Sequence, residues 1–454
     1  MSSRADDAGS AVLNRVLPAL ERLPGVRRYR VAYSGGLDST VLLHAMAALR
    51  PRFEAALCAV HVNHGLQPAA AEWVHQCQEA CEALGVPFSG LGVDARPRDG
   101  ESPEAAARRA RYDALRALME AGDCLLTAHH QDDQAETVLL QLLRGSGVTG
   151  LAAMPPMTPF AAGWHARPLL DLTRDQLRAY AVAHGLRWID DPSNFDTGLR
   201  RNYLRHEIMP RLKQKWPAVA RTLSRSAAHN AETARLLDEI GAEDLPAVAG
   251  PRAATLSIDA LMQLSPERLN NVLRYWLRTL GLPLPSTAHL DRLHEDILKA
   301  AQDSAPLLAW PGAEVRRYRS LLYAMWPLPE HDPGQVIAWD LAAPLDLPSC
   351  GGRLDARHVA GHGLQRVLLK GKNVTVRFRR GGEHCRPAGR SHTHELRKLL
   401  QESAVPPWLR ERVPLLYVGE ELAAVGDLFV CEGFQAGEGE AGMELEWTFQ
   451  ALTP

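Results

Sequence analysis

The sequence lacks the patterns that define several large classes of protein. It has no run of about 18 uncharged apolar residues, so a membrane-spanning helix is not expected. Its first residues, MSSRADDAGS, are polar and have no apolar core of signal-peptide length. The seven cysteines include no C-x-x-C pair, which argues against a disulfide framework or a zinc site. These absences predict a cytoplasmic protein with no membrane partner.

The chain also has little net charge, but its charges are unevenly distributed. The formal charge of −2 gives no sign of a polyanionic partner for the chain as a whole. Residues 200–225, however, contain eight lysines and arginines against one acid, and residues 366–398 contain ten against two. Charge alone leaves two interpretations of each segment open, a solvated surface or a contact with an RNA backbone.

A glycine-rich loop lies between a predicted strand and a predicted helix, in residues 29–46, YRVAYSGGLDSTVLLHAM. Paired glycines let the backbone approach a ligand closely, and the first amides of a helix favour an anion. Ser34 and Ser39 can donate hydroxyls to phosphate oxygens, whereas Asp38 would repel them unless a divalent cation lies between. The loop therefore predicts a bound pyrophosphate with Mg²⁺. The alternative is a capped turn without a ligand.

Strands and helices alternate after this loop as far as about residue 190. Strands are predicted at 56–62, 86–93 and 124–128, and helices at 69–84, 103–121 and 132–144. This alternation is typical of an α/β fold with a doubly wound parallel sheet, which binds ligands at the carboxyl ends of its strands.

The length of 454 residues is enough for two or three domains. Helical periodicity dominates after residue 215, and short alternating strands dominate after the proline-rich stretch near residue 330. We predict a nucleotide-binding domain at 1–215, a mainly helical domain at 216–330 and a small α+β domain at 331–454.

Three carboxylates cluster where a predicted strand gives way to a helix. Asp132, Asp133 and Glu136 follow His129 and His130 in the stretch AHHQDDQAET. Helix capping alone could explain these acids, because carboxylates favour the positive end of a helix. At the carboxyl end of a strand they also describe a site for Mg²⁺ or for a cationic substrate.

Two further positions are candidates on weaker grounds. His61 begins the strand-end stretch HVNHGLQP, which indicates either contact with the adenine or ribose of a nucleotide or simple turn chemistry. Arg111 shares a helix face with Arg108 and Tyr112, and that face is either solvated or binds an anion.

The loop has no lysine in the position that a Walker A sequence requires, and it matches the SGGxDS loop of the PP-loop ATP pyrophosphatases. Together with the later motifs, the chain resembles one family of that group, the tRNA(Ile)-lysidine synthases. The resemblance covers most of the chain and is densest in residues 30–215. It is carried by SGGLDS, HVNHGLQP, EAAARRARYDAL, AHHQDDQAETVLLQLLRGSGVTGLAAM, RPLL, WIDDPSNFDTGLRRNYLR and VPPWLRERVPLLY.

The resemblance implies a ligase that uses ATP and Mg²⁺. Such an enzyme adenylates the wobble cytidine (position 34) of a tRNA(Ile) with a CAU anticodon and then attaches the ε-amine of L-lysine to C2. The products are AMP and pyrophosphate, and decoding changes from AUG to AUA. Whether the chain forms a homodimer stays open.

Residue roles follow from the chemistry of these motifs and of the two basic segments, read together with the reaction that the resemblance implies. ATP binding is predicted for Ser34, Gly35, Gly36, Leu37, Asp38, Ser39 and His61. Catalysis is predicted for Asp38, Asp133 and Glu136, and Mg²⁺ binding for Asp38 and Asp133. Lysine binding is predicted for Arg111, Asp133 and Glu136, and tRNA binding for Arg201, Asn202, Arg205, Arg379 and Arg380.

Two rival classes explain part of the sequence. Another PP-loop enzyme, such as a tRNA thiolase, would account for the loop, but no cysteines are spaced as a thiolase would need. A non-catalytic nucleotide-binding or RNA-binding module would account for the fold but would leave Asp38 and the carboxylates at 132–136 without a role.

Overall fold

The computed structural model describes residues 2–65, 70–98, 100–252, 254–301 and 304–449. The chain divides into two compact units, Met1–Leu236 and Leu237–Pro454. The predicted three-domain boundaries stay predictions. None of the described helices combines the length and the apolar character needed to span a bilayer.

The first unit is built on a six-stranded sheet. Its strands are β1 (Arg28–Ala32), β2 (Ala56–Asn63), β3 (Phe88–Gly92), β4 (Asp123–Leu126), β5 (Met157–Phe160) and β6 (Gly163–Ala166). Their order is β3-β2-β1-β4-β6-β5, and all neighbours are parallel except the edge pair β5 and β6. The predicted α/β fold is confirmed.

Helices connect these strands. They are α1 (Ser2–Glu21), α2 (Leu37–Ala48), α3 (Ala70–Ala83), α4 (Pro103–Ala117), α5 (Gln131–Leu143), α6 (Val148–Leu151), α7 (Arg174–Ala183), α8 (Arg200–Tyr203), α9 (Met209–Lys215) and α10 (Val219–Val248). Short 3₁₀ turns occupy Arg50–Arg52 and Pro192–Phe195, and a π-helical turn occupies Leu204–Ile208.

Local sequence explains where several of these helices begin. Ser102 caps α4 by accepting from the Ala105 amide, and Pro103 follows at the first helical position. Thr173 and Gln176 form a capping box at the start of α7. Such caps satisfy amides that the helix itself leaves without partners.

The core of this unit places the glycine-rich loop. Val31 on β1 and Leu42 on α2 are fully buried, so the strand and the helix that flank the loop are both anchored in the interior. Tyr180 on α7 is also fully buried and packs in the same cluster. The loop is therefore held at the carboxyl end of β1, between two packed elements.

The second unit begins with helices and a four-stranded antiparallel sheet. Its helices are α11 (Ile258–Leu261), α12 (Pro266–Thr279) and α13 (Thr287–Arg292), followed by a π-helical turn at Leu293–Leu298. Its strands are β7 (Thr255–Ser257), β8 (Leu307–Trp310), β9 (Ala313–Tyr318) and β10 (Leu321–Met325), in the order β7-β10-β9-β8. The apolar face of α12, including Leu273 and Trp276, packs into this core.

The rest of the second unit is rich in short strands. They are β11 (Val336–Ala338), β12 (Leu345–Leu347), β13 (Gly352–Ala360), β14 (Leu364–Gln365), β15 (Val374–Arg377), β16 (His384–Cys385), β17 (His394–Glu395), β18 (Leu415–Val418), β19 (Glu421–Val425), β20 (Phe429–Val430) and β21 (Ala441–Phe449). They form sheets β11-β15-β18-β19-β20, β12-β13-β21-β14 and β16-β17. The helices α14 (Arg366–Leu369) and α15 (Leu396–Glu402) and 3₁₀ turns at Pro348–Cys350 and Pro407–Leu409 complete this part.

Candidate active site

The glycine-rich loop joins β1 to α2 and leaves the start of the helix open to a ligand. Gly36 occupies the capping position of α2, so no side chain caps the first amides. Ser34 and Ser39 lie side by side, with 3.0 Å between their hydroxyl oxygens, and Ser39 Oγ also donates to the Gly36 carbonyl at 3.0 Å. The uncapped amides and the two hydroxyls give the loop the donors that an anion requires.

Gly35 cannot be replaced by a larger residue without rearrangement. Its φ of +82° lies in the left-handed region that glycine favours. An added Cβ would come within 2.6 Å of Ile189 Cδ1 and 2.8 Å of Cys77 Sγ. The Ile189 amide also donates to the Gly35 carbonyl at 2.9 Å. The loop is thus fixed from one side by a segment that follows it by about 150 residues in the chain.

Asp38, in the first turn of α2, has one carboxylate oxygen without a partner. Its Oδ1 is buried and accepts no hydrogen bond, while its Oδ2 lies 3.6 Å from His130 Nε2. A buried carboxylate oxygen without a donor is suited to a cation. Within the described residues no group of three or more His, Cys, Asp or Glu side chains could hold a metal. The partnerless oxygen of Asp38 fits a divalent cation such as Mg²⁺, which prefers oxygen ligands.

His130 connects this loop to the carboxylates of α5. It caps that helix: its Nδ1 accepts from the Asp133 amide at 3.4 Å, and its own amide donates to Asp133 Oδ2 at 3.1 Å. Burial opposes the charged imidazolium, but the carboxylates of Asp133, Asp38 and Asp132 outweigh it and raise the pKa of His130. His130 therefore lies between the carboxylate of Asp38 and that of Asp133.

Two arginines neutralise the carboxylates of Asp133 and Glu136. Arg205 Nε donates to Glu136 Oε1 at 2.7 Å, and its Nη2 donates to Glu136 Oε2 at 2.9 Å and to Asp133 Oδ1 at 2.7 Å. Arg201 Nε donates to Glu136 Oε2 at 2.9 Å, and its Nη2 to Asp133 Oδ1 at 3.1 Å. Residues predicted to bind tRNA thus contact residues predicted to bind lysine.

The charge of Asp133 follows from these neighbours. Burial disfavours the carboxylate, but His130, Arg201 and Arg205 more than compensate and hold the pKa of Asp133 far below its usual range. Glu136 has only 1% of its surface exposed. Both carboxylates are therefore enclosed and hydrogen-bonded.

Asp132, the third carboxylate of the cluster, is bound on a different side. It accepts from the Arg174 amide at 3.0 Å through Oδ2 and from Lys213 Nζ through Oδ1. These contacts join the starts of α5 and α7 to α9. Asp132 therefore holds the helices that surround the site.

His61, Arg111 and Asn202 lie on separate elements. His61, on β2, is buried and donates from Nδ1 to the Tyr33 carbonyl at 2.9 Å, directly before the loop. Arg111 stacks on Tyr112, with 5.6 Å from its guanidinium carbon to the ring centre. Asn202 is buried and donates to the Asp196 carbonyl at 3.0 Å. Residues 66–68 of the stretch HVNHGLQP lie outside the described residues.

Comparison with known proteins decides the family. A PP-loop domain matches residues 11–212, a TilS substrate binding domain matches residues 256–323, and a TilS substrate C-terminal domain matches residues 374–447. The tRNA(Ile)-lysidine synthase of Coxiella burnetii is 44% identical over 95% of this chain and 96% of its own length. That of Methylococcus capsulatus is 43% identical over 92% of this chain and 96% of its own length.

The chain belongs to the tRNA(Ile)-lysidine synthase family. The resemblance drawn from its motifs is confirmed, as is the prediction of an enzyme of the ligase class. Membership implies the use of ATP and a tRNA, whereas Mg²⁺, L-lysine, a homodimer and the cytoplasmic location stay predictions. The solved U34-tRNA thiolase NcsA from Methanococcus maripaludis aligns with 50% of this chain and 80% of its own at 17% identity. Its TM-score of 0.43 supports no statement about function.

The remaining predicted tRNA contacts of this family member lie in the second unit. Arg379 has 17% of its side chain exposed, and its Nε lies 3.8 Å from Glu383 Oε2. Arg380 donates to the carbonyls of Pro333 at 3.1 Å and Gly334 at 2.6 Å. Both arginines therefore make contacts within the unit, and their role in tRNA binding stays a prediction.

Neither His130 nor Lys213 is among the predicted site residues, although both contact the carboxylates of α5. The paired histidines before the acids were a signal for His130. Nothing local points to Lys213, which is separated from Asp132 by 81 residues in sequence. Only the folded chain of this synthase family member brings the two together.

Proposed function

We propose that the chain attaches the ε-amine of L-lysine to C2 of the wobble cytidine of a tRNA(Ile) with a CAU anticodon, through an adenylated tRNA. One observation carries this proposal. The loop with the partnerless Asp38 oxygen and the carboxylate pair on α5 are joined through a single histidine, His130. A site for activating a substrate with ATP thus lies beside a site for a cationic nucleophile.

The loop is suited to the first step, in which the cytidine O2 attacks the α-phosphate and pyrophosphate leaves. Amides at the start of α2 and the hydroxyls of Ser34 and Ser39 would bind the departing phosphates. Leu37, buried at the first turn, anchors that end of the helix, and His61 holds the strand beside it. Asp38 would hold Mg²⁺, which when bound neutralises charge on the leaving group.

Asp133 and Glu136 are suited to the second step. Both already bind guanidinium groups, so they can bind the ammonium of lysine if Arg201 and Arg205 give way. The low pKa of Asp133 makes its carboxylate a weak base. We therefore assign ammonium binding to Asp133 and acceptance of the proton to Glu136, because only the neutral amine is nucleophilic. Because these arginines already bind its carboxylate, Asp133 could bind Mg²⁺ only after they release it.

Arg111 is suited to the carboxylate of the lysine substrate. Burial, and then the nearby guanidinium groups of Arg108 and Arg201, lower the pKa of Arg111, so an added negative charge would be stabilised there. Arg201, whose charge contributes to that lowered pKa, donates hydrogen bonds to Glu136 and Asp133 on α5. An amino acid with charges of both signs could then be bound at both ends.

Binding of tRNA would use the basic residues that are not paired with carboxylates of the site. Of the segment at 200–225, Arg201, Arg205 and Lys213 contact carboxylates of α5. The exposed basic residues of that segment are Arg200, Arg211, Lys215, Arg221 and Arg225. We assign phosphate contacts to these and to the basic segment at 366–398, because affinity for RNA depends mainly on such contacts.

The test is a two-stage assay with the purified chain, ATP, Mg²⁺ and a tRNA(Ile) transcript with a CAU anticodon. We expect pyrophosphate release that requires the tRNA but not lysine, followed by AMP release and incorporation of labelled lysine when lysine is added. A transcript with a GAU anticodon, which lacks the wobble cytidine, is the control and should give neither. Pyrophosphate release without a lysine adduct in any condition would contradict the proposal.

A further inference from the structure

Two arginines of the first unit lie over the ring of Tyr112, and a third is linked to that ring through His165. The guanidinium carbons of Arg108 and Arg111 lie 4.9 and 5.6 Å from its ring centre. Arg167 belongs to the same group, because its Nη2 lies 3.2 Å from Nδ1 of His165, whose ring centre is 6.0 Å from that of Tyr112. Arg108, Arg111 and Arg167 are called the arginine cluster below.

The arginine cluster has no carboxylate partner among the described residues. Arg167 donates to the Pro155 carbonyl at 2.7 Å and to His165, and its buried Nε has no partner. By contrast, Arg109, the neighbour of Arg108 in sequence, forms a two-point ion pair with Glu101 at 3.0 and 2.9 Å. The missing counter-charge is therefore a property of this face of α4 and not of the whole helix.

The surroundings of the arginine cluster are electrostatically positive. Burial, with Arg108 among the further causes, lowers the pKa of Arg167. Burial, and then charges that include Arg167 and Arg108, lower the pKa of His165 to about 3. Like charges that act on one another without counter-ions raise the free energy of the folded chain, and an anion bound among them would lower it.

The arginine cluster lies at the edge of the sheet that carries the active site. Arg167 directly follows β6, and His129 follows β4. The charges of Asp133, Arg167 and Arg108 all affect the pKa of His129. The glycine-rich loop follows β1. Since the carboxyl ends of parallel strands meet at one edge, the cluster and the loop share the same crevice.

The negative charges that the two substrates bring to the crevice can be compared with the three positive charges of the arginine cluster. Under the proposed function, lysine brings one carboxylate, which Arg111 binds, and this leaves Arg108 and Arg167 without a counter-ion. The α-ammonium of lysine is adjacent to its carboxylate and repels cations. Binding of a second arginine to that carboxylate is therefore less favourable. A splayed cytidine, however, brings the phosphates on either side of it into the crevice.

We propose that Arg108 and Arg167 bind a backbone phosphate next to the modified cytidine of the tRNA. This inference rests on the proposed function for the identity of the RNA. Arg167 is fixed in position by the Pro155 carbonyl and by His165. Arg108 is exposed, makes no hydrogen bond within the described part of the chain and is free to approach an RNA from solvent.

The test compares two exposed arginines of α4, one inside the arginine cluster and one that does not belong to it. Arg108→Gln removes a charge from the cluster. Arg116→Gln removes another exposed arginine of α4, which lies 4.9 Å from the ring centre of Phe160 and is not one of the three arginines of the cluster. Arg108→Lys keeps the charge. Affinity for the tRNA(Ile) transcript is measured by filter binding at several salt concentrations, without ATP or lysine.

We expect Arg108→Gln to weaken binding about five-fold at 0.1 M salt and to reduce the salt slope by about 0.7 to 0.9. Arg116→Gln should leave both unchanged, and Arg108→Lys should restore the slope. An unchanged salt slope would overturn the inference. In that case a higher Michaelis constant for lysine would indicate that Arg108 belongs to a carboxylate site. An unchanged Michaelis constant would indicate a solvated surface. Since this is a binding measurement, failure of the lysine-transfer assay would count against the proposed function alone.

Discussion

Arg205 binds Glu136 through two parallel hydrogen bonds, from Nε to Oε1 at 2.7 Å and from Nη2 to Oε2 at 2.9 Å. Such bidentate pairs are the strongest that a guanidinium makes with a carboxylate. Glu136 lies on α5 and Arg205 lies in a π-helical turn, 69 residues apart in sequence. This contact therefore links the segment expected to meet tRNA to the carboxylates expected to meet lysine.

Replacing these carboxylates should affect the use of lysine more than the binding of tRNA. We expect Asp133→Asn to raise the Michaelis constant for lysine about ten-fold or more, because a charge-assisted contact is worth roughly 1.5 to 3 kcal/mol. We expect Glu136→Gln to lower the maximal rate of lysine transfer, because it removes the proposed proton acceptor. Dissociation constants for tRNA should stay near those of the parent chain. Asp113→Asn, which removes an exposed carboxylate of α4, is the control.

The same variants also break a partly buried ion-pair network. If tRNA binding and the thermal midpoint of unfolding fell in parallel with lysine incorporation, Asp133 and Glu136 would act as structural anchors for Arg201 and Arg205 and not as a lysine site. Thermal unfolding of each variant should therefore accompany the kinetic measurements.

Asp38→Asn should abolish pyrophosphate release while leaving the fold intact. Its Oδ1 accepts no hydrogen bond, so the amide costs little in packing but removes the charge needed for Mg²⁺. We expect a loss of about 100-fold or more in the rate of lysine-independent pyrophosphate release. Asp113→Asn, at an exposed position on α4, is the control. Unchanged turnover at saturating Mg²⁺ would remove Asp38 from the mechanism.

Local patterns in the sequence predicted the strands and helices nearest the loop. The strand predicted at 56–62 is β2, and the helix predicted at 132–144 is α5, because buried strands and capped helices have strong periodic signals. The hairpin β5–β6 was not predicted, since its strands are four residues long and β5 contains Pro159. Proline is tolerated there because β5 is an edge strand.

The site was predictable only where its residues are neighbours in sequence. The loop and the carboxylates of α5 each form one short motif. The contacts of Arg201 and Arg205 with α5 depend on tertiary structure. Charge patterns left the role of these residues open, and the family resemblance predicted them as RNA contacts. The lack of a partner for Asp38 Oδ1 is likewise a property of the folded chain.

Gly35→Ala should destabilise the chain and eliminate ATP-dependent activity. The left-handed backbone costs a non-glycine residue about 1 to 2 kcal/mol. The crowding by Ile189 and Cys77 should add about 1 to 3 kcal/mol or displace the loop. Gly25→Ala isolates the first effect, because Gly25 also has a positive φ but nothing within 4 Å of an added Cβ. Equal urea unfolding free energies for the two variants would show that the loop tolerates the methyl group.

Removing Arg379 and Arg380 should weaken tRNA binding without changing the adenylation step. We expect Arg379→Ala with Arg380→Ala to raise the Michaelis constant for tRNA and to flatten the salt slope by about 0.7 to 0.9 per lost contact. The maximal rate should change little.

The contacts of Arg380 with Pro333 and Gly334 require a control for structure. Arg353→Ala with Arg357→Ala removes two exposed arginines of β13 from the same unit. A normal salt slope in the variant at 379 and 380 would identify the basic segment at 366–398 as a solvated surface.

His165 should make the stability of the first unit fall as the pH is lowered. Burial, and then the positive charge of Arg167, hold the pKa of His165 at about 3 in the folded chain, whereas an unfolded histidine titrates near about 6.5. Above that value neither state binds the proton. Below it the unfolded chain takes up a proton that the folded chain cannot, so the folded state loses about 1.4 kcal/mol per pH unit until the folded pKa is reached.

Replacing His165 should remove this part of the pH dependence. Between pH 6.5 and pH 5 the parent chain should lose about 1.6 kcal/mol of unfolding free energy because of His165, and His165→Asn should lose that much less. The variant will be less stable at pH 7, because Thr127 and Arg167 lose a partner, so the slope and not the absolute value is the measurement. His75→Asn, at an exposed position on α3, should keep the slope of the parent chain. Parallel pH profiles for the parent chain and His165→Asn, from urea titrations at each pH, would show that His165 is protonated as easily in the folded as in the unfolded state.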